Sequence, residues 1–326
     1  MCTAISLNTK DHYFGRNLDL EYSYKETVTI TPRNYPLPFR KKNTLTTHYA
    51  IIGMAYVFEN YPLYYDATNE KGLSMAGLNF PDNAFYPDKA IESLDNISPF
   101  ELIPWILGQC ATIEESLQLL TRIHLLAIPV HKSLPLTPLH WMISDANRSI
   151  IAEPLADGIH IHENPLGVLT NNPPFDFQLM YLNQFMNLSK KPAVNHFSSK
   201  LPLAAYSRGM GALGLPGDFS SSSRFVRAAF VKTNSICEAS ENSSVHQFFH
   251  ILDCVQQPRG SVELEPEVYE ITYYTSCCNT SKGIYYYKTY DNSQITAVHM
   301  HKENLDSEAL ISYPLRKKNA IFHENQ

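Results

Sequence analysis

Short apolar runs broken by polar residues dominate the first third of the chain, a pattern typical of β-strands. Apolar positions over residues 2–7 and 12–15 predict a hairpin, with its turn at Asn8, Lys10 and Asp11. Residues 27–31 predict a further strand. Between residues 49 and 80, polar breaks at 59–60 and 69–72 divide the apolar runs, which predicts several neighbouring strands.

The middle of the chain contains two clear signals for helix starts. Ser98 and Glu101 form a capping-box pattern with Pro99 at the first helical position, and Thr112 and Glu115 form a second. These signals predict adjacent helices over residues 99–109 and 113–123.

The remaining patterns alternate between strands and helices. Strands are predicted over residues 139–144, 149–153 and 160–162, and a closing meander over 268–277, 284–290 and 295–301. Residues 225–231 could form a helix or a strand. One helical face carries the apolar residues Val245, Phe248, Phe249, Leu252 and Val255. Strands on both sides of central helices predict an α+β layered fold.

Composition narrows the class of protein. The 326 residues are 44% hydrophobic and 12% aromatic, enough for a large core, and no linker-like run divides them. We therefore expect one domain over residues 1–326. The formal net charge of -6 argues against a nucleic-acid partner. No apolar run reaches the roughly 20 residues of a membrane span, and no signal peptide is evident, so we expect a cytoplasmic protein without membrane insertion.

The sequence offers weak metal-site candidates. His246 and His250 have the i, i+4 spacing of zinc proteases, but Gln247 replaces the glutamate that would act as general base. The pairs His160/His162 and His299/His301 lack a nearby third ligand and are interpreted as edge or surface residues. We expect no metal ion and no organic cofactor, and the glycine-rich nucleotide motifs are absent from the sequence.

Six cysteines at irregular spacings do not indicate a disulfide framework. The adjacent pair Cys277 and Cys278 is interpreted as two strand thiols that face opposite sides, with a strained vicinal disulfide as the alternative.

Cys2 has two possible roles. A cysteine near a strand start is often a small core residue. Removal of Met1 would instead expose a thiol and an α-amine on one residue, which would supply a nucleophile and a base together. The hairpin would bring Arg16 and Asp19 near Cys2, where an arginine favours the thiolate and an aspartate orients the amine. Arg16 and Asp19 could alternatively form an ordinary ion pair beside a turn.

Several segments together resemble the choloylglycine hydrolase family, which contains bile salt hydrolases and penicillin V acylases. The resemblance covers residues 2 to about 310 and is closest to the bile salt hydrolases of lactobacilli. The matching segments are Met-Cys-Thr at 1–3, residues 14–19, Ala-Gly-Leu-Asn-Phe at 76–80, Leu-Thr-Asn at 169–171, and Leu-Pro-Gly-Asp at 215–218 with Ser-Arg-Phe at 223–225.

The resemblance implies an N-terminal-nucleophile hydrolase with a four-layer αββα sandwich, whose mature chain begins at Cys2. In such an enzyme Cys2 is the nucleophile and its α-amine the base, while Arg16 and Asp19 tune the thiol and hold the amine. The family commonly forms homotetramers.

Three further residues receive roles from the resemblance. The side-chain amide of Asn171 and the backbone N–H of Asn79 would form the oxyanion hole, and Arg224 would support the charged site. Without the family, both asparagines could simply cap turns, and Arg224 could be a surface cation or pair with Asp218.

The implied substrates are glycine- or taurine-conjugated bile salts, with Leu18 and Tyr24 near the steroid pocket. Penicillin V acylase is the alternative within the family, although those relatives usually carry tyrosine at the position of Asn79. Deacylation of acyl-homoserine lactones is a related possibility. Outside this class, a non-catalytic bile-acid- or lipid-binding protein and a metalloprotease remain as alternatives.

Overall fold

The computed structural model describes residues 1–318 and 321–325, so positions 319, 320 and 326 of the predicted domain lie outside the described residues. Its strands are β1 (Cys2–Asn8), β2 (His12–Leu20), β3 (Thr27–Thr31), β4 (Ile51–Phe58), β5 (Tyr61–Asn69), β6 (Ser74–Asn79), β7 (Asp95–Ile97), β8 (Ile123–Leu125), β9 (Leu139–Ser144), β10 (Ser149–Leu155), β11 (Gly158–Glu163), β12 (Val168–Leu169), β13 (Glu263–Glu265), β14 (Val268–Tyr269), β15 (Ile271–Asn279), β16 (Ile284–Thr289), β17 (Asn292–His299) and β18 (Ile311–Pro314).

The helices lie mainly in the middle of the chain. They are α1 (Leu102–Gln109), α2 (Ile113–Leu120), α3 (Phe175–Tyr181), α4 (Ser221–Asn234) and α5 (Glu241–Asp253). Short 3₁₀ turns cover Pro99–Glu101, Leu182–Phe185, Met210–Ala212 and Met300–Lys302.

Two large antiparallel sheets form the centre of the molecule. Sheet I has the order β12-β1-β2-β15-β16-β17, and sheet II has the order β11-β10-β9-β6-β5-β4-β3-β18. The predicted hairpin of β1 and β2 therefore lies inside sheet I, where β15 continues the ladder. The strands predicted between residues 49 and 80 are confirmed as β4, β5 and β6, which are neighbours in sheet II.

The helices cover the outer faces of the two sheets. One apolar cluster joins residues of sheet I, the facing side of sheet II, and helices α4 and α5. The other joins the opposite side of sheet II to α1 and α2. This arrangement gives four layers in the order α, β, β, α, which confirms the predicted α+β sandwich. Both faces of β1 and β2 are covered, so most of their residues are buried.

The predicted helix starts are confirmed, but one end is wrong. Residues 99–101 form a 3₁₀ turn that leads into α1, with the Ser98 N–H donating to the Glu101 carboxylate at 2.8 Å. Thr112 Oγ1 accepts from the Glu115 N–H and caps α2. Helix α2 ends at Leu120 instead of residue 123, because residues 123–125 pair in parallel with β7.

Residues 225–231, for which the sequence left helix and strand open, lie inside the helix α4. Tertiary packing therefore decides their secondary structure. The apolar stripe of α5 is confirmed as buried. The closing meander is confirmed as β15, β16 and β17, but residues 268–269 form β14 beside β13, and residues 300–302 form a 3₁₀ turn. Cys277 and Cys278 are both free and buried. They are consecutive residues of β15, whose side chains alternate between the two faces of the sheet, so the two thiols face opposite sides as predicted.

Candidate active site

Cys2 lies at the first position of β1, directly opposite Leu18 of β2. Cys2 is 3% exposed, and it lines a cavity. The Cys2 backbone N–H donates to Asn171 Oδ1 at 2.7 Å. The start of one strand of sheet I is thus joined to the segment that follows β12.

Asn171 connects three parts of this site. Besides the Cys2 N–H, its Oδ1 accepts from Arg224 Nη2 at 2.9 Å, and its Nδ2 donates to the Asn79 carbonyl at 2.7 Å. Its own backbone N–H donates to Ser221 Oγ at 2.8 Å, which fixes the residue against the start of α4. A side-chain amide with this set of contacts is held in one orientation.

Arg224 reaches the site from α4 and is fully buried. Its Nη1 donates to the Cys2 carbonyl at 2.5 Å and to Thr3 Oγ1 at 2.7 Å, and it lies 3.9 Å from Asp19 Oδ2. Burial lowers the pKa of this guanidinium, while the nearby Asp19 carboxylate opposes that shift. The alternative pairing with Asp218 is not found, because Asp218 accepts hydrogen bonds from Ser220 and Ser223.

Arg16 of β2 is buried, and its side chain extends from sheet I to the backbone of sheet II. Its guanidinium donates to the carbonyl oxygens of Tyr65, at 3.0 Å, and Gly77. Burial disfavours the charge, but the Cys2 thiol and the Asp66 carboxylate act in the opposite direction, and the net pKa of Arg16 is raised. Its guanidinium bonds to these carbonyls and does not form the turn-side ion pair with Asp19 considered as an alternative.

The Asp19 carboxylate is buried beneath the start of β1. Thr272 Oγ1 donates to its Oδ1 at 2.6 Å, and Gln257 Nε2 lies 3.5 Å from its Oδ2. Burial raises the pKa of Asp19, while the positive charges of Arg224 and the N-terminus oppose the rise. The backbone of Asp19 pairs with Met1, but the acceptor for the Cys2 N–H is Asn171.

Asn79 ends β6 and has an exposed side chain. The next residue, Phe80, directs its N–H towards β9, where it donates to Pro138. Because successive residues of a strand direct their backbone groups to opposite sides, the N–H of Asn79 points away from β9. Its carbonyl on that side accepts from Asn171 Nδ2. The end of β6 and the amide of Asn171 therefore meet, and Asn79 lines the same cavity as Cys2.

A cavity of about 240 Å³ opens above Cys2, Arg16 and Asn79. Leu18 and Tyr24, which the family resemblance places near a steroid pocket, both line it. Much of its remaining wall is apolar and includes Leu20, Tyr56, Leu63, Phe100, Val130 and Leu136. A mostly apolar cavity with a few polar groups in its wall is typical of a small-molecule binding site.

Sequence reasoning missed several polar residues beneath the site. Glu270 forms an ion pair with the ammonium of Met1, and Thr272 and Gln257 contact Asp19. All three come from the segment that precedes or begins β15, more than 230 residues along the chain from Asp19. No local motif marks them.

Among the described residues, no group of three His, Cys, Asp or Glu side chains could hold a metal ion. His246 and His250 are both exposed on α5. His160 pairs with Asp157 on the surface. Within the same part of the chain, no helix is long and apolar enough to cross a membrane.

Comparison with known proteins identifies clear relatives. Residues 2–313 match the model of the linear amide C–N hydrolases, choloylglycine hydrolase family. The chain is 53% identical to a bile salt hydrolase/transferase of Lactiplantibacillus plantarum, with both chains fully covered. A similar protein of Clostridium perfringens, also a bile salt hydrolase/transferase, is 41% identical with both chains fully covered.

Solved structures agree with this result. The C2A mutant of the conjugated bile acid hydrolase from Clostridium perfringens superimposes with a TM-score of 0.92 at 40% identity, over 100% of both chains. A penicillin V acylase from Agrobacterium tumefaciens gives a TM-score of 0.73 at 21% identity, over 95% of this chain and 90% of that one. At that identity the acylase supports the shared fold alone.

Proposed function

The chain belongs to the choloylglycine hydrolase family of linear amide C–N hydrolases, and we propose that it hydrolyses the amide bond of glycine- or taurine-conjugated bile salts. The observation that carries this proposal is the position of Cys2 in the lining of a largely apolar cavity, where its backbone N–H donates to Asn171. Full-length relatives named for bile salt hydrolysis support the choice of substrate.

The reaction begins once Met1 has been removed, because the α-amine of Cys2 is otherwise part of a peptide bond. The Cys2 thiol gives its proton to this amine, and the thiolate attacks the amide carbonyl of the substrate. The amine then passes the proton to the leaving nitrogen, the C–N bond breaks, and a thioester with the bile acid remains. Water attacks this thioester, which releases the acid and regenerates the thiol.

Two N–H groups would receive the negative charge that develops on the carbonyl oxygen. Asn171 Nδ2 has two hydrogens, of which one already bonds to the Asn79 carbonyl. The other, together with the N–H of Asn79, would form the oxyanion hole. Donors fixed in advance stabilise a transition state strongly, since they need no reorganisation during the reaction.

The buried charges around Cys2 would hold the thiolate and the ammonium in place. Arg16 supplies a positive charge near the thiol, and Arg224 fixes the Cys2 carbonyl by a hydrogen bond. The Asp19 carboxylate lies within 3.9 Å of Arg224, and its negative charge would favour the ammonium form of the amine.

The steroid face of a bile salt matches the walls of the cavity. Leu18 and Tyr24 would contact it beside the reacting carbonyl, and apolar burial contributes roughly 25 cal/mol per Å² before the entropic costs of binding. We further propose that residues 1–326 act as one domain, that the enzyme is a cytoplasmic homotetramer, and that it uses no metal ion or organic cofactor.

The test measures the release of glycine and taurine from conjugated bile salts beside the hydrolysis of penicillin V. We expect kcat/KM for glyco- or taurocholate to exceed that for penicillin V by at least about tenfold, which requires only about 1.4 kcal/mol of transition-state preference. Equal or reversed constants would contradict the bile-salt assignment. Intact-mass measurement should show that Met1 is absent from the active protein, whereas an active protein that retains Met1 would exclude the α-amine as base.

A further inference from the structure

We propose that Glu270 is a positioning residue for the N-terminal ammonium, binding first the amine of Met1 and, after its removal, the α-amine of Cys2. This inference rests on the proposed function, since it assigns a partner to the amine that serves as base. Glu270 lies between β14 and β15 and belongs to none of the short segments that the sequence analysis matches to the family, although the overall resemblance extends past it.

The contact begins with Met1, which extends the ladder of sheet I by one residue. The Asp19 N–H donates to the Met1 carbonyl at 3.0 Å, and the Met1 ammonium donates to the Asp19 carbonyl at 2.9 Å. The same ammonium forms an ion pair with Glu270 Oε1. Glu270 is only 4% exposed, and its backbone N–H donates to Val262 at 2.9 Å, so its main chain is fixed.

Loss of Met1 moves the positive charge by one residue. Successive residues of an extended chain advance by about 3.3–3.6 Å, so the new ammonium on Cys2 would form within one residue length of the atom that Glu270 now binds. Rotation of the glutamate side chain can cover part of that distance. The carboxylate would then remain the counter-charge of the N-terminus.

The number of hydrogen-bond donors on the Cys2 amine also favours Glu270 as one of its partners. The Cys2 amide has one N–H, which Asn171 Oδ1 accepts, whereas an ammonium has three. The Asp19 carboxylate already contacts Thr272 and lies near Gln257 and Arg224. Within residues 1–318 and 321–325, the Glu270 carboxylate accepts a hydrogen bond from the Met1 ammonium alone. After Met1 has been removed, the Glu270 carboxylate is therefore available to accept a hydrogen bond from the Cys2 amine.

The electrostatic effect has a definite sign. The ionisable groups that face this position are the Cys2 thiol, Arg16 and Asp19 from sheet I, Arg224 from α4, and Glu270 itself. The two arginines disfavour an ammonium, while Asp19 and Glu270 favour it. Removing the charge of Glu270 would therefore lower the pKa of the Cys2 amine. The neutral amine, which accepts the proton of the thiol, would then persist to lower pH.

The experiment compares Glu270→Gln, Glu270→Asp and a control, Glu101→Gln, each checked by intact mass for loss of Met1. Glu101 is also a buried glutamate, and burial raises its pKa as it does that of Glu270, but its carboxylate binds backbone N–H groups of Ser98 and Arg40. Two quantities are measured against pH: kcat/KM for glycocholate, and the rate of Cys2 alkylation by iodoacetamide.

We expect Glu270→Gln to move the acid limb of both profiles down by about one pH unit. Below the wild-type midpoint, activity relative to the plateau would then be up to about tenfold higher. The profile of Glu101→Gln should coincide with that of the wild type. Glu270→Asp keeps the negative charge but moves it about one bond length away from the amine. The acid limb of this variant should therefore shift in the same direction as that of Glu270→Gln, but by less. Glu270→Asp also provides the test if the glutamine variant does not fold.

An acid limb that stays at the wild-type pH in the folded Glu270 variants would overturn this proposal, even if their melting temperatures fall, because a purely structural role would not predict a shifted limb. Failure of the proposed function has a different signature. In that case the wild type itself would release no amine from glycocholate, or would survive alkylation of Cys2 with its activity intact.

Discussion

Replacement of Asn171 by alanine tests the proposed oxyanion hole most directly. The substitution deletes an amide that joins the Cys2 N–H, Arg224 Nη2 and the Asn79 carbonyl, at distances of 2.7–2.9 Å. It would also remove the N–H that the reaction needs for the developing oxyanion. Catalysis and folding should therefore both suffer, but by amounts that can be measured separately.

The catalytic loss can be estimated from known oxyanion holes. Removal of one donor costs about 2.7–4 kcal/mol in the transition state, which corresponds to a decrease in kcat of about 10²–10³-fold. The free energy of unfolding should fall as well, because each buried polar group without a partner costs about 1–3 kcal/mol. Arg224 keeps its contacts with Cys2 and Thr3 in the variant. We therefore expect the free energy of unfolding to fall by about 3 kcal/mol in total.

Amine release from glycocholate gives kcat and KM, and urea unfolding gives the change in stability. Asn172→Ala is the matched control, since this neighbouring amide donates to the Pro81 carbonyl and, among the described residues, forms no hydrogen bond with Cys2 or Arg224. It should lose far less in kcat than Asn171→Ala does.

The reasoning would be refuted by a higher KM with an unchanged kcat. Such a result would make Asn171 a residue that binds the ground state, and another donor would have to stabilise the oxyanion. A similar loss of kcat in both asparagine variants would also contradict the proposed role, because it would point to general disturbance of the loop.

Three further predictions concern the thiols and one buried histidine. Cys2→Ser should abolish turnover and leave the melting temperature nearly unchanged, since serine has a similar shape but a far less acidic hydroxyl; retention of more than a few per cent of activity would contradict a thiolate nucleophile. Iodoacetamide should label Cys2 before the other thiols, because burial raises the pKa of Cys110 to about 11 and that of Cys278 to about 12. If peptide mapping finds the label on another cysteine first, Cys2 is not the most reactive thiol. His12 is buried between Thr280 and Ser144, and burial lowers its pKa to about 4. The unfolded chain therefore binds the proton more readily, so up to about 3 kcal/mol of stability that is present above pH 6.5 should be lost as the pH falls to 4. Urea unfolding of His12→Gln should show a smaller decrease over this range, and an equal decrease would exclude His12 as its cause.

Local patterns in the sequence were sufficient to predict many of the strands and helix starts of the fold. The β1–β2 hairpin, the strands of residues 51–79 and the starts of α1 and α2 follow from alternation, turn residues and capping patterns, whose causes lie within a few residues. The stripe on α5 likewise predicts its buried face, because helical periodicity alone determines which residues share that face.

The family resemblance supplied the residues that local patterns could not bring together. Arg224 lies 222 positions from Cys2, and Asn171 lies 169 positions away. Their contacts depend on how α4 and the segment after β12 pack against β1. Residue-by-residue matching to the family predicted these residues, and the structure gives the hydrogen bonds that join them.

Other features were decided by the tertiary structure alone. Residues 225–231 fit two periodicities, and burial against sheet I selects the helix. Pairing with β7 ends α2 early, although the sequence would allow the helix to continue. Glu270 carries no local signal, because its role depends on the register that sets β15 beside β2 and on the ladder that brings Met1 to Asp19. Strand register and helix packing are long-range properties, so a side chain acquires its partner only when distant segments meet.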